Sequence, residues 1–256
     1  MAIAYRSATE VAGIRRAARA VMQILDILRD AVRPGVTTGD LDAIAQRELA
    51  RRGATSNFKG YRPFRGVPAF PGVICASVDD EIVHGIPGDR ALREGEIVAL
   101  DFGAVLEGWH GDSAITVPIG AISAEKQRLL DVTQEALRRG IAAAHAGNRV
   151  LDISRAVQQY VEGEGCSIIR QYGGHGIGRA LHEDPWVPSY VEKGLENPLL
   201  RPGMVICIEP MVTTGSAETR DLPDGWTVAT ADGSPSAHFE HMVAISHGEP
   251  DILTAL

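Results

Sequence analysis

Between residues 8 and 31 the apolar positions Val11, Ile14, Ala18, Val21, Ile24, Leu25 and Leu28 recur at helical spacing, which predicts an amphipathic helix. Arg33-Pro34-Gly35 stops it. Thr38 or Asp40 is placed to cap a second helix, which runs to about Arg52 ahead of Gly53. The period then changes, and short apolar runs at 73–78 (VICASV), 97–103 (IVALDFG) and 113–119 (SAITVPI) predict strands. Ser123-Ala124-Glu125-Lys126 opens a second helical stretch. It breaks at Ala146-Gly147-Asn148 and resumes in a helix that ends near Gly163 and Gly165. Strands follow again, at 205–210 (VICIEP) and 241–246 (HMVAIS).

The order of helices then strands therefore occurs twice, and the two passes can be aligned. Leu92-Arg93-Glu94-Gly95-Glu96-Ile97-Val98-Ala99-Leu100-Asp101 overlays Leu200-Arg201-Pro202-Gly203-Met204-Val205-Ile206-Cys207-Ile208-Glu209, so that Asp101 falls on Glu209. A fainter echo sets Gly35, Asp40, Leu41, Gln46 and Gly53 against Gly147, Asp152, Ile153, Gln158 and Gly165. A duplicated helix-then-strand unit predicts an α+β fold with pseudo-two-fold symmetry. The expectation is one catalytic domain over 1–256, with pseudo-repeats at about 8–120 and 121–250. A pseudo-axis would bring two equivalent acids face to face.

Composition narrows the function classes. The chain has 256 residues, 45% hydrophobic and 23% charged, with a formal charge of −8, which argues against a charge-driven nucleic-acid or membrane binder. Cys75, Cys166 and Cys207 lie far apart with no CxxC pair, so neither a cysteine-based zinc module nor a disulfide framework is indicated, and a reducing cytoplasm is the natural setting. The N-terminal stretch is interrupted by Glu10, Arg15, Arg16 and Arg19, unlike a signal peptide, and no bilayer-length apolar run follows.

Five potential ligands each sit in a short presenting tract: Asp101 (VALDFG), Asp112 (HGDSA), His175 (GGHGIG), Glu209 (CIEPM) and Glu240 (HFEH). Four carboxylates and one imidazole gathered in one cleft require cations. An oxygen-rich set with one nitrogen suits Mn, Fe, Co or Zn, and suits two ions better than one. Each residue also has a plainer reading. Asp101 closes an apolar strand ahead of Gly103, as a turn acid does. Asp112 follows His110-Gly111, as a loop residue or a cap does. The glycines around His175 would also suit a phosphate-cradling loop, although neither the Lys-Ser/Thr of a P-loop nor dinucleotide spacing is present. Glu209 ends an apolar run, where a buried acid needs a partner. Glu240 between His238 and His241 suggests a histidine-rich zinc site, but strand alternation keeps Glu240 and His241 from both aiming inward.

The tracts HGIP (84–87), LDFG (100–103), HGDSA (110–114), GGHGIG (173–178), HEDP (182–185), IEPM (208–211) and DGWTV…SAHFEH (224–241) together resemble the type I methionine aminopeptidases, in that family's order and over nearly the whole chain. The resemblance implies the α/β "pita-bread" fold, with helix-helix-strand units duplicated around a central antiparallel sheet. It also implies two divalent ions (Co, Mn, Fe or Zn) that activate a shared hydroxide. By it, Asp101 chelates one ion, His175 and Glu209 bind the other, and Asp112 and Glu240 bridge them. Glu209 doubles as general base, and His84 and His182 contact the scissile amide and its oxyanion. Phe70, Cys75, Leu181 and Trp226 line the methionine slot. Leu181 departs from the phenylalanine usual before that histidine, and Val83 from a frequent cysteine before His84. The implied partner is a nascent polypeptide or peptide with N-terminal methionine and a small second residue, acted on by a monomer. Such a substrate brings the enzyme near the ribosome, although no residue pattern shows docking. Proline-specific members of the same fold usually carry a sizeable N-terminal domain, for which 256 residues leave no room. Non-catalytic binders of the fold have lost ligands that this chain retains.

Overall fold

The helices form where the apolar spacing places them, and their ends are fixed by side-chain caps. The computed structural model describes residues 2–63 and 66–255. Helix α1 spans Ala8–Ala31 and is capped by Ser7, with Glu10 reaching back to the Ser7 amide. Helix α2 spans Thr38–Arg52. Its cap is Thr37, one residue ahead of the expected Thr38 or Asp40. The Thr37 hydroxyl accepts from the Asp40 amide at 3.0 Å, while the Asp40 carboxylate accepts from the Thr37 amide at 2.9 Å. Asp40 is thus the other half of a capping box, and Thr38 inside the helix donates instead to the Gly88 carbonyl. Helices α3 (Ala124–Ala142) and α4 (Val150–Gly163) repeat the arrangement in the second half, α3 behind a Ser123 cap.

Each helix pair covers its own apolar core. Leu25, Leu28 and Leu41 of α1 and α2 pack with Val98, Leu100 and Phe102 of the first half. Leu130, Leu137, Ile153 and Val157 of α3 and α4 pack with Ile206 and Ile208 of the second. At about 1.5–3 kcal/mol per buried large aliphatic or aromatic side chain, these two layers are the main favourable term holding the strands in place.

Among the described residues the strands pair antiparallel in four sheets. The largest ladder joins Ile97–Leu106 to Trp109–Pro118 in unbroken register, from Ile97 opposite Pro118 to Leu106 opposite Trp109. Glu107 (φ 53°) and Gly108 (φ 74°) make its two-residue turn, whose positive dihedrals match the strand twist. The ladder is longer than the apolar runs indicate. Asp101 lies within its strand instead of ending it, and Asp112 is a strand residue, neither loop nor cap. In the second half, Val205–Ile208 pairs with His241–Ala244, and Met211–Thr213 pairs with Ser236–His238. No helix among the described residues is long and apolar enough to cross a membrane, and the three cysteines are buried and free.

Candidate metal centre

Register brings the acids together. Asp101 lies opposite Ala114, and Asp112 is two residues from Ala114 on the same strand, so both carboxylates leave the same face. In the second half His241 pairs with Ile208 and His238 with Met211. Both pairings belong to one register, which sets Glu240 beside Glu209 across the short interruption between the sheets. The halves are then stitched at this point. The Glu240 amide donates to the Ala114 carbonyl (2.9 Å), the Ser113 hydroxyl donates to the Glu240 carbonyl (2.6 Å) and the Thr116 hydroxyl to the His238 carbonyl (2.8 Å). Asp101 on one half and Glu209 on the other line the same cleft.

His175 enters from the strand Gly174–Gly176. A Cβ on Gly174 would lie 2.1 Å from the Cys207 carbonyl oxygen, and one on Gly176 would lie 2.2 Å from the Asp184 carbonyl oxygen. The glycines therefore permit close strand packing on both sides of the imidazole, which removes the phosphate-loop alternative. His175 Nδ1 donates to the Gly176 carbonyl at 2.8 Å, because a carbonyl can only accept. In the neutral ring Nε2 then carries a lone pair. That atom faces Glu209 Oε1 at 3.7 Å and Asp112 Oδ2 at 3.9 Å. A lone pair confronting two carboxylate oxygens is repulsive until a proton or a metal ion lies among them.

The remaining polar atoms fit the same requirement. Asp101 Oδ1, Asp112 Oδ1 and Glu240 Oε1 are buried and accept no hydrogen bond from the protein. Ligand atoms of Asp112, His175, Cys207 and Glu240 all lie within 4.8 Å of one another. Burial, with Glu209 adding to it, pushes the Asp101 carboxyl up to about 7. Burial and neighbouring carboxylates drive Asp112 and Glu240 well above the usual range. Burial would raise Glu209 too, but His238, His175 and His182 outweigh it and hold its carboxyl low. This donor set cannot be charged and bare at once, and it is suited to divalent cations.

The eleven side chains singled out in the sequence all line one cleft of about 780 Å³. His84 sits in the Gly/Pro turn with a left-handed φ of 60°, and its ring meets the edge of Tyr172 at 5.1 Å. His182 stands at the mouth, 4.5 Å from the His175 ring and 3.2 Å from the Tyr61 hydroxyl through Nδ1. Burial lowers both imidazoles to about 4, with His175 adding to the effect at His182, so both are neutral near pH 7. On the apolar side Phe70 meets Trp226 edge-on at 5.2 Å, with Cys75 and Leu181 beside them. Trp226 Nε1 donates to the Pro68 carbonyl at 3.0 Å, anchoring one rim of the slot.

Sequence reasoning missed several residues at or beside this cleft. Cys207 lies two residues before Glu209, and His238 two before Glu240, so strand alternation was the available signal for both. Tyr61 and Tyr172 reach the cleft from separate loops, and nothing in their spacing announces it.

Comparison with known proteins gives a consistent answer. Residues 12–247 match the model of metallopeptidase family M24. The chain is 48% identical to methionine aminopeptidase 1 of Bacillus subtilis, over 96% of both chains. It superposes on the crystal structure of a Thermotoga maritima methionine aminopeptidase with a TM-score of 0.94 at 37% identity, covering all of both chains. An Xaa-Pro dipeptidase from Bacillus anthracis shares only the fold, with a TM-score of 0.76 and 20% identity over 62% of its length.

Proposed function

Since the chain belongs to metallopeptidase family M24 and is a metal-dependent aminopeptidase that removes N-terminal methionine, we propose that this hydrolysis takes place in the cleft floored by Asp101, Asp112, His175, Glu209 and Glu240. Those five residues would hold two divalent ions. When bound, the ions supply Lewis-acid polarisation of the scissile carbonyl and acidify a water. The observation that carries this reading is His175, whose Nε2 lone pair points at oxygens of Glu209 and Asp112.

The protein's own groups do the rest. The Glu209 carboxylate, held low chiefly by His238, accepts a proton from the attacking water and returns it to the departing amine. With the Tyr61 hydroxyl donating to His182 Nδ1, the other nitrogen is left as Nε2–H to donate into the cleft. His84 and His182 can thus donate to the amide and to the developing oxyanion without carrying charge themselves. Phe70, Cys75, Leu181 and Trp226 bound the slot for the thioether chain.

The substrate class is a nascent polypeptide or peptide with N-terminal methionine and a small second residue, handled by a single catalytic unit over 1–256. A series of Met-X peptides tests this directly. Turnover with Gly, Ala or Ser at X and loss with Leu or Phe agrees with it. Equal turnover across the series contradicts it.

A further inference from the structure

The Glu209 carboxylate lies between two imidazoles, one at each oxygen. His175 faces Oε1, and on the other side His238 Nε2 lies 3.4 Å from Oε2. His238 is 1% exposed, yet neither of its ring nitrogens makes a hydrogen bond. A buried imidazole without partners costs free energy unless its site uses it. Its backbone is pinned by one side chain, since its amide donates to the Thr116 hydroxyl (2.9 Å) and its carbonyl accepts from the same group (2.8 Å). The shared register places Met211 opposite His238 and Glu209 beside Glu240, so the His238 ring leaves the same face as both acids.

Resting on the reading of the cleft proposed above, we infer that His238 is a positioning residue for Glu209. Its Nε2, 3.4 Å from Oε2, is within reach to donate there once the centre is loaded, which would fix the carboxylate so that Oε1 is the oxygen shared with His175. The two imidazoles are complementary. His175 is committed through Nδ1 to the Gly176 carbonyl and presents a lone pair. His238 presents a proton. Glu209 is thereby tied at one oxygen and free at the other, which makes it a one-oxygen ligand in a defined orientation. Partners that orient ligands in this way are worth roughly 10–100-fold in metal affinity or activity.

Two volume-conserving variants separate donation from packing. His238→Gln keeps an N–H donor, and His238→Met fills the space without one. Metal-free parent and variants would be titrated with Mn(II) by calorimetry, with metal-free melting and the kinetics of a Met-Gly peptide measured alongside. Expected is Mn(II) affinity near the parent's for His238→Gln. For His238→Met, a loss of about tenfold or more is expected, with kcat falling while KM for the peptide holds. The inference is overturned if His238→Met binds Mn(II) as the parent does, or if His238→Gln loses as much as His238→Met. A parent that takes up no Mn(II) overturns the cleft reading as well, whereas a sound parent with indifferent variants sinks His238 alone.

Discussion

Leu181 shows how the account extends to single residues. It is nearly buried beside His182 and lines the same cleft as Phe70 and Trp226. Apolar slots discriminate by about 1–3 kcal/mol per methylene, so Leu181→Ala is expected to lower kcat/KM for a Met-Gly peptide by roughly tenfold or more. Steady-state kinetics with Met-Gly and norleucine-Gly peptides check this, and an unchanged kcat/KM removes Leu181 from the slot. At this scale the sequence was legible wherever a residue sat in a distinctive tract. All five proposed ligands and both cleft histidines could be read that way. His238 and Cys207 were not, because alternation puts each on the face of a proposed ligand two residues away without showing what that face meets, which only the pairing reveals.

The elements explain why the ligands hold still. Gly174 and Gly176 let the strand carrying His175 lie against its neighbours at distances that no Cβ tolerates. Gly174→Ala would place a methyl 2.1 Å from the Cys207 carbonyl oxygen, and backbone cannot rotate aside as a side chain does. The expected cost is about 1–3 kcal/mol of unfolding free energy. Urea denaturation measures it, and a midpoint equal to the parent's contradicts the packing argument. Helices were read closely from apolar period alone, α1 to the residue. Their caps were read less well, because Thr37 precedes the periodic segment and its partner Asp40 resembles a cap itself. Strands fared worse. The Trp109–Pro118 strand starts four residues before its apolar run, since its first turns alternate polar and small residues around Asp112. The three-residue strands of the second half carry too little pattern to be seen at all.

For the molecule as a whole, the centre links metal to folding. Three acids with raised pKa values share a buried floor, so the metal-free protein carries an electrostatic penalty that a cation relieves. Mn(II) should therefore stabilise the fold by RT ln(1 + [L]/Kd), about 2.7 kcal/mol at a hundredfold excess over Kd, and raise the melting temperature in a concentration-dependent manner. Differential scanning fluorimetry of chelator-treated protein reads this without any substrate. A melting temperature indifferent to Mn(II) and Co(II) would contradict a metal site built from these residues. The doubled helix-helix-strand order was visible from the aligned segments at Asp101 and Glu209, and it accounts for two acids meeting at one floor.

The central claim is that the carboxylate floor hydrolyses the bond after an N-terminal methionine. The measurement that tests it most directly is methionine release from a Met-Gly peptide, beside a Pro-Gly peptide. Metal-stripped protein would be assayed before and after addition of Co(II) or Mn(II), together with Glu209→Gln. The account predicts metal-dependent cleavage of the methionine peptide alone, reduced by about a hundredfold or more in the variant, as loss of a general base entails. Cleavage of the proline peptide, cleavage without metal, or a fully active variant would contradict it.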